Sequence, residues 1–443
     1  MRKSRTPSPL DGIHARIRAR FPRIDRDSQG RRRIYLNSGA GSLMVDTAIE
    51  AAAWANRTLN PMPGAGCAGE AETARFHDEV RGIASDFVHA RGGREISFHV
   101  STTAALFNLA FALRETIGRN DNLVVTDLDH MANVSPWETV LGEGNGSEVR
   151  RARVSSEGTL DLDHLLTLTD PKTRLLAVTM ASNGLGTVPP LPEIVAAVRR
   201  KSPECLVAVD AVHHALHGPI DVRSIGCDFL AFSGYKVFGP MLGVLWGKGE
   251  ILEKIRPYRV ETNTNEPPWK LEQGMLNNAS LASLKAALEY LLWVADEAAT
   301  PGQAFAGRRK RFAFAMTAIA DHEQGLSRRV LERFRRLGPR GLSCYGLTDP
   351  DRCAERDPTF AFEITGQAPH ETKRLLWDRY GIQIGDGNHY SAAVYRHLRK
   401  PAVCRASFAH YDTTETVDRF LSALEEMIGT LRGGGSHNSK EAP

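Results

Sequence analysis

The sequence predicts an α/β protein with a mainly parallel sheet between helices, followed by a smaller α+β unit. Three observations carry that reading. Residues 206–209 and 229–232 are short apolar runs bounded by polar or turn residues. They are too short for helices and apolar on both faces, as strands inside a parallel sheet are. Further strand-like runs at 122–126 and 174–180 alternate with helical segments at 104–113, 161–168 and 194–200, the rhythm of a doubly wound sheet. From about residue 301 the pattern changes to long amphipathic helices, 312–337 and 369–380, around a strand at 359–364.

A chain of 443 residues is long enough for a sizeable core and more than one domain. The expected division is a basic N-terminal segment at 1–28, a large α/β domain at 29–298 and a small α+β domain at 299–432. A Gly/Ser-rich polar tail at 433–443 reads as disordered. With 42% hydrophobic and 24% charged residues the composition is that of an ordinary soluble protein. A net charge of +4 is small for this length, and the arginine-rich stretches read as solvated faces, so no nucleic-acid partner is expected. No apolar run is long enough to span a membrane, and no hydrophobic stretch follows the basic N-terminus. The six cysteines form no CxxC pair, which fits a reducing compartment, and Cys205, Cys227 and Cys404 read as buried thiols. A cytoplasmic protein follows.

In chain order, a short helix is expected at 10–21. Asn37-Ser-Gly-Ala-Gly41 is turn-rich, either a pocket border or an ordinary loop. Helices at 47–57 and 72–89 flank a Gly- and Pro-containing loop that permits close backbone approach. Cys67, in that loop, is the one cysteine in an exposed setting; an incidental thiol and a chemical role both stay open. A strand at 95–100 leads through Ser101-Thr-Thr103 into the helix at 104–113. A hydroxyl-rich turn at a helix N-terminus suits an anion, because free N–H groups and the helix dipole favour negative charge. The same residues also serve as a plain N-cap. After the strand at 122–126 comes His130, which either stacks on a planar ring or hydrogen-bonds in its loop. Asn183 follows the strand at 174–180, where a turn and a polar pocket explain it equally well.

The centre of the chain carries the chemistry. Asp210 ends the run at 206–209, and Ser233-Gly-Tyr-Lys236 follows the run at 229–232. Ligands of open α/β sheets sit beyond the carboxyl ends of the strands, so a carboxylate and a lysine meet at one edge. That pairing has a known use: a lysine in Schiff-base linkage to pyridoxal 5'-phosphate (PLP), with an acid holding the pyridine nitrogen protonated. Two simple surface residues are the alternative. His213, His214 and His217 lie nearby, but no carboxylate or thiolate stands at ligand spacing, so no metal is expected.

Asp210-Ala-Val-His213, Ser233-Gly-Tyr-Lys236 and Gly239-Pro240 resemble the core of the class V aminotransferase family, nearest its cysteine desulfurases and a desulfurase-like group. The likeness runs from about residue 35 to about residue 427. It implies the PLP-dependent fold type I, a homodimer, and an amino-acid substrate. Lys236 then carries the Schiff base and shuttles the α-proton, Asp210 holds the ring nitrogen, and His130 stacks on the ring. Thr102, Thr103, Ser233 and Tyr235 are implied on the phosphate, with Tyr235 standing where desulfurases have histidine. Asn183 and His213 are implied near the phenolic oxygen, and Arg405 on the substrate carboxylate, which a guanidinium fork suits. The family's Gly-Thr, whose threonine is implied on the phosphate across a dimer interface, is Gly274-Met275 here, which leaves Asn277 as the polar contact. Asn37, Asn388, Tyr390 and Cys67 complete the substrate side, Cys67 falling roughly where desulfurases carry a histidine.

One departure bears on the reaction. Where one desulfurase group carries its sulfur-accepting cysteine, Gly387-Asn-His-Tyr390 places a tyrosine, and a phenol forms no persulfide. The expected reaction is a C–S lyase or desulfurase-like elimination with another acceptor, Cys67 among the candidates. Transamination or epimerisation needs the same carbanion, and a non-catalytic PLP-binding protein is the remaining alternative.

Overall fold

The computed structural model describes residues 9–434. The start of the basic segment and residues 435–443 of the expected tail lie outside it. Its strands are β1 (Ile34–Tyr35), β2 (Ile96–His99), β3 (Asn122–Thr126), β4 (Glu148–Ala152), β5 (Thr173–Thr179), β6 (Leu206–Asp210), β7 (Phe229–Ser233), β8 (Gly243–Gly247), β9 (Leu342–Tyr345), β10 (Thr359–Ile364), β11 (Ile382–Gln383), β12 (Gly385–Gly387) and β13 (Val403–Ser407).

Seven strands form one sheet in the order β2-β8-β7-β6-β5-β3-β4. Strands β3 to β7 run parallel, and β8 alone runs antiparallel to its neighbours β7 and β2. Alternate residues supply the two faces. Val207, Val209, Leu230 and Phe232 pack in one apolar cluster, while Ala208, Phe229 and Ala231 pack in another. The apolar runs are continuous because both faces are buried. Strand β4 escapes the sequence reading: it is an edge strand of Glu, Val, Arg, Arg and Ala, mostly half-exposed, with no apolar signal.

A second sheet has the order β12-β13-β10-β9 and its own apolar cluster, which includes Phe360, Phe362, Phe408 and Phe420. Helix Arg308–Leu337 serves both cores: Phe312, Met316 and Ile319 lie in the first cluster, and Leu326, Val330 and Phe334 in the second.

Where it is described, the basic N-terminal segment turns Arg16, Arg23, Arg26, Arg31 and Arg32 to solvent and its apolar side chains inward. Leu10, Ile13, Ile17 and Phe21 are buried in the first core. His14 Nε2 pairs with the His410 carbonyl at 2.9 Å, and Arg18 Nη1 donates to the Tyr411 carbonyl at 2.7 Å. Strand β1 then joins β11 in parallel. At 308–311 the arginines are paired as well, Arg308 and Arg309 with Asp86 and Arg311 with Asp296. At the other end, helix Thr414–Gly434 carries Gly433 and Gly434 within it, so the expected disordered tail does not begin at 433.

Candidate active site

A cavity of about 810 Å³ opens at the carboxyl ends of the parallel strands. Asp210 is the last residue of β6, and Lys236 ends the single turn Gly234–Lys236 that follows β7. Both line the cavity and both are buried. Burial, helped by the positive charge of Arg405 and opposed by Asp210, pushes Lys236 down to about 7. Burial pushes Asp210 up to about 6, against the Val212 N–H and Lys236, which favour its charged form. Lys236 Nζ donates to the Gly39 carbonyl. The 37–41 turn therefore does border the pocket, but through Gly39 and Ala40.

The cradle at the start of helix Thr102–Ala112 is built against β7 and β8. Ser101 caps the helix by accepting from the Ala104 N–H at 3.1 Å. Thr102 Oγ1 donates to the Phe232 carbonyl at 2.9 Å and meets Ser233 Oγ at 2.7 Å, which ties the helix start to the end of β7. Thr103 lines the cavity and is exposed there, the hydroxyl most open to an anion. Gly243 on β8 permits this closeness: a Cβ there would stand 2.3 Å from the Ser101 carbonyl carbon.

His130 is fixed from its own turn. Its Nδ1 accepts from the Ala132 N–H at 3.0 Å, and Asn133 Nδ2 donates to buried Asp129 at 2.7 Å beneath it. Burial, with the charges of Lys236 and Arg405, holds the imidazole down at about 4, so it is neutral at pH 7. Tyr390 stacks on the ring, centroids 5.5 Å apart at 29°.

Arg405, buried on β13, donates from Nη1 to the Asn183 carbonyl at 2.8 Å and keeps a buried Nε without a partner. Asn183 lines the cavity, and its carboxamide has partners within the protein. Its Nδ2 donates to the His389 carbonyl at 2.7 Å, and its Oδ1 accepts from Ser391 Oγ at 2.6 Å. The carboxamide thus anchors the loop that carries Asn388 and Tyr390, where His389 and Tyr390 both have positive φ. His213 lines the cavity too; its Nε2 meets Thr359 Oγ1 at 3.0 Å, and its Nδ1 has no partner.

Three expected residues are not brought to this cavity. Asn37 lies at a bridge to Ser407, with Tyr35 and Ala40 bonded to its carbonyl. Asn277 is occupied as the N-cap of helix Asn278–Ala298, accepting from the Ser280 N–H at 2.9 Å. Cys67 is exposed just before helix Ala68–Phe87 and is absent from the cavity wall. Conversely, the Gly39 carbonyl, Gly243 and Ser391 carry no signal of their own, because each acts through a partner more than a hundred residues away or through bare backbone. No carboxylate stands at ligand spacing from the histidines in the sequence, but the fold brings two to them. Asp357 pairs with His214 at 3.1 Å and Glu323 with His217 at 2.9 Å, contacts that cross 143 and 106 residues of sequence.

The residues present fit PLP. A buried amine of lowered pKa faces a buried acid of raised pKa, the acid lies at a strand end, and an N-terminal helix cradle with open hydroxyls lies beside them. Lys236 would bond the cofactor, Asp210 would meet its ring nitrogen, His130 its ring face, and Thr103 with the helix N-terminus its phosphate.

The comparisons agree. The profile described as aminotransferase class-V matches residues 34–306 and 310–420. A cysteine desulfurase of Klebsiella pneumoniae (strain 342) is 32% identical over 428 residues, covering 93% of this chain and 97% of the relative. One of Yersinia pestis (strain Pestoides F) is 31% identical over 434 residues, with the same coverage of each. The apo cysteine desulfurase from Thermococcus onnurineus NA1 superposes with a TM-score of 0.78 at 25% identity, over 90% of this chain and 95% of that one. The S-sulfonic acid form of the cysteine desulfurase CsdA from Escherichia coli gives 0.76 at 25% identity, over 96% and 100%. With the profile spanning nearly the whole chain and the lysine, acid and cradle converging on one cavity, this chain belongs to the class V aminotransferase family, PLP-dependent enzymes of fold type I.

Proposed function

We propose that the enzyme carries out a C–S lyase or desulfurase-like elimination on a cysteine-like amino acid, releasing the sulfur to solution or a small acceptor. The observation that carries the reading is the cavity wall. It joins Lys236, Asp210, His130 and Arg405, and no cysteine is among its lining residues. Bound there, PLP supplies an electron-withdrawing pyridinium that acidifies the substrate α-carbon. Arg405 holds the substrate carboxylate by charge-assisted hydrogen bonds. Lys236 Nζ, which burial keeps substantially neutral at pH 7, takes the α-proton. Asp210 keeps the ring nitrogen charged. The simplest overall reaction converts cysteine and water to pyruvate, ammonia and hydrogen sulfide.

A homodimer belongs to this reading, supported by Val100, Met241, Tyr258 and Val260, which are 81%, 75%, 77% and 72% exposed. So do the division near residue 298, supported by the seven-stranded sheet before it and the four-stranded sheet after it, and a cytoplasmic location, which suits six unpaired cysteines. No helix among the described residues is long and apolar enough to cross a membrane.

The test is incubation of the holoenzyme with a panel of amino acids and no keto-acid acceptor. Catalytic release of sulfide with ammonia and pyruvate, or with alanine when a thiol reductant is added to supply the two electrons, supports the proposal. A single stoichiometric burst of the keto acid that keeps the substrate's side chain identifies half-transamination and refutes it.

A further inference from the structure

At the cavity wall and behind it, the turn after β6 and the lead into β10 bring together His213, which lines the cavity, with His217 and Asp357, all buried. One ligand atom from each lies within 4.8 Å of the other two. Each histidine has one ring nitrogen already engaged. His217 Nδ1 pairs with Glu323 Oε2 at 2.9 Å, and its Nε2 has no partner. His213 Nε2 pairs with Thr359 Oγ1, whose own hydrogen goes to Ser407 Oγ at 3.0 Å. Thr359 therefore accepts from His213, and the network assigns the Nε2–H tautomer. His213 Nδ1, also unpartnered, then presents a lone pair and not a hydrogen. Such a nitrogen meets a phenolic oxygen only as an acceptor, unlike the donor that would favour a phenolate. Asp357 is steadied by His214 Nδ1, 3.1 and 3.3 Å from its two oxygens.

We propose that His213, His217 and Asp357 form a binding site for a divalent transition-metal ion of the zinc class. Two imidazoles and a carboxylate are the ligand types that zinc takes, and three protein ligands leave one position for water. The Glu323–His217 pair has the carboxylate–imidazole arrangement that orients ligating histidines, so Glu323 is a positioning residue. At metal–ligand bonds of about 2.0–2.1 Å, ligand atoms sit roughly 3.3 Å apart. The three groups close that gap by side-chain rotation. The ion would fasten the turn that follows Asp210 to the strand that pairs with Arg405's own, bracing both sides of the cavity.

Uptake of zinc alone by chelator-treated holoenzyme, followed by equilibrium dialysis and metal analysis, tests this without reference to turnover. A Cys67→Ser background removes the exposed thiol. One ion per chain is expected. His217→Gln and Asp357→Asn should each weaken binding by about 100-fold or more, and Glu323→Gln by roughly 10- to 100-fold. No stoichiometric uptake, as a buried bridging water would give, overturns the proposal, and so does uptake that these substitutions leave unchanged. If a variant fails to fold, X-ray absorption of the zinc-loaded parent decides. Two imidazoles and oxygen at about 2.0–2.1 Å support the site, and sulfur at about 2.3 Å overturns it.

Discussion

Gly243→Ala isolates the geometry of the anion cradle. Gly243 pairs with His99 on one side and Ser233 on the other, within β8. It has no positive φ, so alanine there would ordinarily gain about 0.5–1 kcal/mol over glycine. The added Cβ, however, would stand 2.3 Å from the Ser101 carbonyl carbon and 2.5 Å from the Thr102 nitrogen. Both are backbone atoms, with no rotamer to yield. Relief requires β8 and the start of helix Thr102–Ala112 to separate by roughly 1 Å, and overpacking of that kind costs about 1–3 kcal/mol. The clash outweighs the entropic gain, so the apo protein should lose roughly 1–2 kcal/mol. Cofactor binding should suffer more if the cradle holds the phosphate as proposed, because the Thr102 N–H is among the displaced groups. Losing one charge-assisted hydrogen bond, worth about 1.5–3 kcal/mol, weakens PLP binding roughly 10- to 100-fold. Urea unfolding of apo protein and PLP titration by the visible band measure the two effects. A variant that binds PLP as tightly as wild type refutes the cradle argument.

Lys236, held down at about 7, gives a pH dependence of definite sign. Below that value the ammonium cannot attack a carbonyl, so reconstitution of apo protein with PLP should slow roughly tenfold per pH unit and level off above it; a flat profile across that region overturns the assignment. Lys236→Ala should abolish the yellow band that borohydride bleaches, and a variant still yellow and reducible sinks the linkage. Arg405→Lys keeps the charge but loses the fork that meets a carboxylate. KM for the amino acid should rise about 10-fold or more with PLP affinity unchanged, and an unchanged KM removes Arg405 from the substrate.

What was legible in the sequence follows from range. Strand β10 matches its expected bounds, and β6 and β7 each extend one residue beyond the apolar run, because buried strands declare themselves in a few consecutive residues whether they pair parallel or antiparallel. Lys236, Asp210 and Thr103 were legible for the same reason: each stands directly after a strand, where the fold fixes the site. Strand β4 was not, since an exposed polar edge has neither an apolar run nor clear alternation. Asn277 shows another limit of the sequence: one asparagine serves as ligand or cap, and within this chain its oxygen accepts from the Ser280 N–H.

The long-range contacts decide the chemistry beyond the shared scaffold. Asn183 lines the cavity, and its carboxamide also holds the 388–391 loop through partners 206 and 208 residues away. That loop is where relatives of one group place the sulfur-accepting cysteine, and here it presents Tyr390, 72% exposed and stacked on His130. The anchor and the stack hold the loop at the cavity without lending it a nucleophile. Cys67, the one exposed cysteine among the described residues, does not reach the same wall. An enzyme arranged in this way can still remove the α-proton and bind the carboxylate through Lys236 and Arg405. What it lacks within its own cavity is a side chain to receive sulfur, and release to solution or to an external acceptor is the course those contacts leave open.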